Sequence, residues 1–168
     1  MLQIGSVVDG KYKVLSIIGQ GGMSVVYLAL NERANKTWAI KEIRKEGVQD
    51  FSTVKKGLIA EIDILKNLNH KYLPSIVDII DDADTFLIVM DYIQGKSLHT
   101  ILKEKMEQEG KPISLEDTIS WGKQLCDVLY YLHTRPNPII YRDMKPANVM
   151  LRPNGEIALI DFGTARVF

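Results

Sequence analysis

The spacing of apolar residues changes near residue 52 from the period of a strand to that of a helix. Residues 12–18, 25–30 and 37–43 are runs rich in Val, Ile, Leu and Tyr, which are typical of strands. From about Ser52 to Asn69, apolar residues recur at three- and four-residue steps, which predicts one helix. Residues 76–80 and 86–90 are strand-like again. We therefore expect residues 1–93 to form a first lobe, a five-stranded antiparallel sheet with one main helix.

Residues 94–168 have a mainly helical pattern. Helices are predicted over 97–108 and 114–133, and the second opens on Ser114-Leu115-Glu116-Asp117, a capping-box sequence. Short strands are predicted at 139–140, 149–151 and 157–160. Gly95 and Lys96 lie where the pattern changes and are interpreted as a hinge. The fold class predicted is α+β, with a sheet-based first lobe and an incomplete, mainly helical second lobe.

Charge and cysteine content exclude several classes of function. Lys plus Arg and Asp plus Glu both number 21, so no net field attracts nucleic acid or an anionic membrane. No window approaches the roughly 18 apolar residues that a membrane span requires, and we expect a cytoplasmic protein with no membrane segment in this chain. Cys126 is the only cysteine, which excludes a disulfide framework, and its helical apolar surroundings predict a small core residue.

A glycine-rich segment, Gly19-Gln20-Gly21-Gly22-Met23-Ser24, joins the first two strong strands. Glycines allow a backbone to approach phosphates closely, because no side chain blocks the approach. A flexible hairpin with no ligand explains such a run equally well. A dinucleotide-binding fold is excluded, because its glycines lead from a strand into a helix whereas residues 25–30 continue as strand.

Lys41 lies near the end of the third strand, and Glu61 lies on the helix that follows. An ion pair between them would aim the lysine ammonium at the α- and β-phosphates of a nucleotide. Two solvated surface charges are the alternative, since that is the usual environment of Lys and Glu. The order of glycine hairpin, lysine strand and glutamate helix favours the functional interpretation.

Four polar residues follow in a fixed order near the end of the chain: Asp143, Lys145, Asn148 and Asp161. Phosphoryl transfer needs an acceptor for a hydroxyl proton, a cation for the γ-phosphate and oxygen ligands for Mg²⁺. Asp143 and Lys145 suit the first two roles, while Asn148 and Asp161 suit the third. An acidic, amide-rich turn without function is the alternative.

With these motifs in order, the chain from about residue 10 onward resembles the first part of a eukaryotic-type protein serine/threonine kinase of the bacterial branch. Ser24 stands where the third glycine of the family's loop would be, and Tyr141 replaces the more usual histidine of its catalytic loop. The spacing of Asp143 and Lys145 resembles the serine/threonine subfamily. The resemblance implies transfer of the γ-phosphoryl group of ATP, with Mg²⁺, to Ser or Thr hydroxyls of protein substrates.

The resemblance also assigns roles to individual residues. Asp143, Lys145, Lys41 and Glu61 would be catalytic, and Asn148 and Asp161 would hold the metal ion. The implied nucleotide-binding residues are Ile18, Gly19, Gly21, Gly22, Val26, Ala39, Lys41, Met90, Asp91, Ile93 and Met150. A packed column marking the active state would contain Leu65, Ile79, Tyr141 and Phe162.

The sequence departs from the family pattern after Gly163, where only five residues follow. An activation segment and the later helices of the second lobe are expected to be missing. In the family, a helix like that at 114–133 packs on another helix that is not encoded here. We expect its uncovered apolar face to favour self-association or a partner. A nucleotide-binding or interaction module without phosphoryl transfer is the alternative function.

Overall fold

The computed structural model describes residues 1–20, 24–43, 51–82, 86–160 and 165–167, apart from the side chains of residues 51–54, 58, 61 and 166. The chain divides into two compact units. The first contains Met1–Ile62 and Ser75–Tyr92, and the second contains Asp63–Pro74 and Ile93–Phe168. None of the helices among the described residues is long and apolar enough to cross a membrane.

The first unit is built on an antiparallel sheet of six strands rather than five. In chain order they are β1 (Val7–Val8), β2 (Tyr12–Gln20), β3 (Ser24–Asn31), β4 (Lys36–Ile43), β5 (Ile76–Asp81) and β6 (Phe86–Asp91). Their order across the sheet is β1-β2-β3-β4-β6-β5. The extra strand β1 makes only two residue pairs, Val7 with Lys13 and Val8 with Tyr12. Two residues are too few to show an alternating pattern in sequence.

Alternation along the strands gives this sheet two differently occupied faces. One face carries a core of nine buried residues that includes Tyr27, Ile40 and Val89, with Leu2 and Trp38 packed against it. The opposite face carries a smaller core made of Ile43, Ile62, Phe86 and Ile88. Ile62 belongs to helix α1 (Phe51–Leu65), so this second core attaches the helix to the sheet.

Helix α1 ends at Leu65, four residues earlier than the sequence pattern indicates. The amide of Leu68 donates to the carbonyl of Leu65 at 3.0 Å, which closes a turn instead of extending the helix. Asn67 donates from Nδ2 to the carbonyl of Asp63 at 3.2 Å, a side-chain contact with the backbone that competes with regular helix geometry. The apolar spacing continues through Leu68 because that residue is buried in the turn.

The described part of the second unit contains two helices and five short strands. Its elements are β7 (Lys96–Ser97), α2 (Leu98–Glu109), α3 (Leu115–His133), β8 (Ile139–Ile140), a 3₁₀ turn (Pro146–Asn148), β9 (Val149–Leu151), β10 (Ile157–Leu159) and β11 (Arg166–Val167). Strand β9 pairs with both β10 and β7, and β8 pairs with β11. The two-residue strands β7 and β11 are not evident from the sequence, for the same reason as β1.

Both helices begin after a serine cap, although the sequence predicts only the one at Ser114. Ser97 Oγ accepts from the amide of Thr100 at 3.1 Å, and Ser114 Oγ accepts from the amide of Asp117 at 3.0 Å. The second arm of the predicted capping box differs, because the Asp117 carboxylate accepts from the Ser114 hydroxyl, at 2.6 Å, rather than from its backbone. A short aspartate in place of glutamate explains this difference.

Helix α3 is covered along only part of its apolar surface. Val128 and Leu132 are fully buried, whereas Leu115 is 75% exposed and Ile119 is 48% exposed. Cys126 lies on the exposed side, so the prediction that it is a core residue is wrong. The helical period is correct, but a period alone does not say which apolar positions find a neighbour.

Candidate functional site

Asp143 lies in the loop that follows strand β8, and this loop is fixed by its neighbours. Tyr141 is buried, and its hydroxyl donates to the carbonyl of Ile160. The amide of Ile160 in turn donates to the carbonyl of Asn148 at 3.0 Å. Arg142 between them has φ +69°, a left-handed backbone that is uncommon for a long side chain. Such strain persists where the surroundings determine the backbone, which is typical of functional loops.

The carboxylate of Asp143 is the centre of a compact polar cluster. Its Oδ2 lies 2.8 Å from Lys145 Nζ and accepts from Asn148 Nδ2 at 2.8 Å. The same amide nitrogen also donates to the backbone carbonyl of Asp143 at 3.0 Å. Three of the four residues singled out in this part of the sequence therefore lie together, and the 3₁₀ turn that begins at Pro146 makes this possible.

The hydrogen bond with Lys145 is the main cause that holds the pKa of Asp143 below its usual range. Desolvation opposes it, and the hydrogen bond from Asn148 adds a smaller lowering. Asp143 is therefore a carboxylate at neutral pH and can accept a hydrogen bond from a substrate hydroxyl. Its low pKa makes it a weak base, so orienting the hydroxyl contributes more than removing the proton early. The cluster thus provides an acceptor and a cation side by side.

Asn148 is the one residue of this cluster whose side chain is buried, at 7% exposure. Both hydrogens of its amide are directed at Asp143, which leaves the carbonyl oxygen Oδ1 as its remaining polar atom. Amide and carboxylate oxygens are the ligands that Mg²⁺ prefers. Among the described residues, no group of three or more His, Cys, Asp or Glu could hold a metal ion by itself. The donors present fit a hard cation that takes further oxygen ligands.

In the first unit, four of the predicted nucleotide-binding residues lie on one face of the sheet. Lys41 pairs with Val26 on β3 and Ala39 pairs with Met90 on β6. Directly paired residues share a face, and positions 39 and 41 share one because side chains alternate along a strand. This is the face of the smaller core, against which α1 packs. Lys41 therefore lies on the same sheet face as Val26, Ala39 and Met90, the residues expected to contact a nucleotide base.

Three more of the residues implied for the nucleotide, Ile18, Gly19 and Asp91, belong to strands of the same sheet. Gly19 pairs with Val26, and an added Cβ at Gly19 would contact the Val26 side chain at 3.5 Å. Ile18 beside it is 43% exposed. The amide of Asp91 donates to the carbonyl of Ser75 at 3.0 Å, while Asp91 Oδ2 accepts from the amide of Ser75 at 2.9 Å. Asp91 is thereby fixed, and its amide already has a backbone acceptor.

Met150 belongs to strand β9 of the second unit, where it pairs with Ala158 and Ser97. Ile93 is half-buried and also belongs to the second unit. Four predicted positions lie outside what the structure describes, namely Gly21, Gly22, Asp161 and the side chain of Glu61. Of the proposed column, Phe162 also lies outside it, and Ile79 is 42% exposed although Leu65 and Tyr141 are buried.

Gly95 has a structural role that the sequence pattern does not reveal. Its φ is +141°, and a Cβ added there would lie 1.9 Å from the carbonyl oxygen of Leu151. The backbones of β7 and β9 meet at this point, one residue from the pair formed by Lys96 and Leu151. In the sequence, a single glycine between a strand and a helix predicts a change in chain direction. It does not predict that the backbone at this glycine lies against a strand that is distant in sequence.

Comparisons with known proteins agree on one family. The family model described as protein kinase domain matches residues 12–168. The chain is 32% identical over 161 residues to serine/threonine-protein kinase PknD of Chlamydia felis, covering 92% of this chain and 17% of that protein. It is also 32% identical over 162 residues to serine/threonine-protein kinase PrkC of Bacillus subtilis, covering 96% of this chain and 24% of that protein. The chain therefore spans less than a quarter of the length of these curated relatives.

Proposed function

The chain belongs to the protein kinase domain family, and we propose that it binds Mg-ATP and transfers the γ-phosphoryl group to serine or threonine hydroxyls of protein substrates. The observation that carries the proposal is the contact of Asp143 Oδ2 with Lys145 and Asn148, both at 2.8 Å. An acceptor for a hydroxyl, a cation and a candidate metal ligand thus meet within one short loop. The names of the relatives PknD and PrkC as serine/threonine-protein kinases support the same class of acceptor.

In this proposal, the residues of the loop divide the chemistry among them. Asp143 accepts the hydrogen bond of the substrate hydroxyl and takes its proton as the new bond forms. Lys145 neutralises charge on the phosphoryl group as it moves between oxygens. Asn148 holds Asp143 through its amide and offers Oδ1, together with Asp161, to Mg²⁺. Positioning and charge stabilisation account for most of the catalysis of phosphoryl transfer.

The first unit supplies the groups for the nucleotide. Lys41, paired with Glu61, would hold the α- and β-phosphates, and Gly19, Gly21 and Gly22 would allow the backbone to approach them. Val26, Ala39, Met90 and Met150 would contact the adenine, with Ile18 beside them and backbone groups of Asp91 and Ile93 at its edge. The supporting observation is the shared sheet face of Val26, Ala39, Lys41 and Met90. We also propose a cytoplasmic location, where ATP and protein substrates are present.

We further propose that the chain self-associates, or binds a partner, through the exposed part of α3. Leu115 and Ile119 line an apolar groove together with Ser120 and the stems of Glu116, Lys123 and Gln124. Burying such a groove is favourable at about 25 cal/mol per Å² of apolar surface. Sedimentation velocity over a range of concentrations should show a species larger than the monomer. A monodisperse monomer at every concentration would contradict self-association.

A thermal-shift titration with Mg-ATP tests nucleotide binding. At about 100 times its dissociation constant, a ligand that binds only the folded state stabilises it by about 2.7 kcal/mol. Lys41→Met should weaken this shift, whereas Lys103→Met on the exposed surface of α2 is a matched control that should preserve it. No shift in the unmodified chain would contradict the proposed pocket. A shift without any transfer of labelled phosphate, even to the chain itself, would support a binding module instead.

A further inference from the structure

Gln124 on helix α3 is a half-buried polar residue that has no part in the chemistry proposed above. Both polar groups of its side chain are bound to the backbone of the hairpin formed by β9 and β10. Its Oε1 accepts from the amide of Ile157 at 2.9 Å, and its Nε2 donates to the carbonyl of Gly155 at 3.1 Å. A side-chain amide has a donor and an acceptor, so it can satisfy a strand edge as a further strand would. Gln124 therefore attaches α3 to this hairpin.

The bond to Ile157 lies on a strand that has a neighbouring strand on one side only. In the order β10-β9-β7, β10 is at the edge, and edge strands have backbone groups that no other strand satisfies. Here Gln124 binds the amide of Ile157, Arg152 Nη1 donates to the carbonyl of Ile157 at 3.3 Å, and the amide of Leu159 donates to the carbonyl of Tyr72 at 2.9 Å. Ile157 is fully buried, so its amide would be desolvated without a partner if Gln124 were replaced.

The hairpin is continuous with the residues proposed to hold the metal ion. Strand β9 begins directly after Asn148, and the amide of Ile160, which follows β10, donates to the carbonyl of Asn148 at 3.0 Å. The carbonyl of Ile160 accepts from the Tyr141 hydroxyl. Asp161, the second proposed ligand, is the next residue in the sequence. The position of β10 therefore determines where the backbone of Asn148 lies.

From these contacts we propose that Gln124 is a positioning residue for the metal ion and acts on Asn148 through β10. This inference rests on the proposed function, because it takes Asn148 as a ligand of Mg²⁺. Gln124 fixes β10, the amide of Ile160 holds the carbonyl of Asn148, and the side chain of Asn148 stays bonded to Asp143. Residues that orient a metal ligand without binding the ion commonly lower metal affinity when they are replaced.

Nucleotide binding should depend less on Gln124 than metal binding does. Met150, the residue of this hairpin that is implied to contact adenine, lies on the central strand β9. It pairs with Ser97 on β7 as well as with Ala158 on β10, and the pair with Ser97 does not involve Gln124. Loss of the Gln124 bonds should therefore weaken metal binding selectively, whereas general damage to the second unit would weaken both.

The test is Gln124→Met, which keeps the length of the side chain but removes its amide. Binding of Mn²⁺ in place of Mg²⁺ is measured by electron paramagnetic resonance in the presence of a nonhydrolysable ATP analogue. Gln124→Met should weaken Mn²⁺ binding by about 10-fold, while the affinity for the analogue without metal should be unchanged. Gln108→Met, at an exposed position of α2, is the matched control and should change neither affinity. Unchanged Mn²⁺ affinity in Gln124→Met, or an equal loss of both affinities, would overturn the proposal.

A second measurement needs neither metal nor nucleotide, so it separates a failure of this inference from a failure of the proposed function. In Gln124→Met, hydrogen exchange of the Ile157 and Ile160 amides should accelerate by about 10-fold or more, because one hydrogen bond is lost and the other is loosened. The amide of Val14, which donates to the carbonyl of Ser6 at 2.9 Å in the first unit, is the internal reference and should exchange as before.

The pattern of exchange decides whether the effect of Gln124 reaches Asn148. Faster exchange of Ile157 with unchanged exchange of Ile160 would show that it does not, and would overturn the positioning role. If both amides responded but the unmodified chain bound neither Mn²⁺ nor the analogue, the proposed function would be wrong, while the positioning of Asn148 by Gln124 would be supported.

Discussion

Asp143→Asn, in a protein that contains this chain, should lower the rate of phosphoryl transfer by about 10²- to 10⁴-fold while leaving ATP binding in place. The asparagine has the same shape and can still accept from Asn148 Nδ2, so the loop should keep its conformation. What it loses is the negative charge that accepts the proton of the hydroxyl. The measurement is transfer of the γ-phosphate from labelled ATP, with nucleotide affinity determined in parallel.

The control for this substitution is Asp82→Asn, which removes a carboxylate from an exposed position of the first unit. It should change neither transfer nor affinity. Transfer at the original rate in Asp143→Asn would contradict the assigned role of Asp143. Loss of nucleotide binding together with transfer would indicate instead that the loop, rather than the chemistry, had been damaged.

Gly95→Ala should destabilise the second unit by about 2–4 kcal/mol. The added methyl group would lie 1.9 Å from the carbonyl oxygen of Leu151, a backbone atom that cannot rotate away. A φ of +141° is also unfavourable for alanine. Strand β7 would have to move away from β9, and Met150 pairs with Ser97 in that ladder. Chemical denaturation monitored by circular dichroism measures the loss.

Alanine substitutions at two other glycines of the second unit serve as controls, because they distinguish the cost of steric overlap from the cost of backbone strain. Gly110 has φ +64° but open space around it, so Gly110→Ala should cost only about 1–2 kcal/mol. Gly122 lies inside α3 with no atom within 4 Å of an added Cβ, so Gly122→Ala should stabilise by about 0.5–1 kcal/mol. If Gly95→Ala lowered the free energy of unfolding by no more than Gly110→Ala does, the overlap with the Leu151 carbonyl would have no measurable cost, and the prediction would be wrong.

The helices and strands with strong apolar periodicity could be predicted from the sequence, whereas most of the shortest strands and the exact end of α1 could not. Strands β2 to β6 and helices α2 and α3 match the predicted segments closely, because their apolar residues alternate or recur over many positions. The two-residue strands β1, β7 and β11 could not be predicted, because each is too short to show a period and is defined by its pairing with a neighbouring strand. The early end of α1 depends on Asn67, whose side chain competes for a backbone carbonyl. These outcomes depend on tertiary neighbours.

In the candidate site, too, some features could be predicted from the sequence and others could not. The order of Asp143, Lys145 and Asn148 indicated their chemistry, but their meeting at one carboxylate oxygen depends on the 3₁₀ turn at Pro146–Asn148. Glu42 was not singled out from the sequence, because a glutamate next to Lys41 looks like an ordinary surface residue. Its burial and the hydrogen bond that it accepts from the Tyr27 hydroxyl appear only in the folded structure.

We propose that Lys41 and Asn148 bind the same Mg-ATP. To test this, Mg²⁺ is replaced by paramagnetic Mn²⁺ in the presence of a nonhydrolysable ATP analogue, and the NMR signals of the chain are recorded. We expect strong broadening of the Asn148 side-chain amide and of the amides around Lys41, with the exposed side-chain amide of Gln108 on α2 unaffected as the internal control. If the analogue binds to saturation and the NMR signal of the Asn148 side-chain amide stays sharp, Asn148 does not lie near the metal ion, and the proposal is wrong.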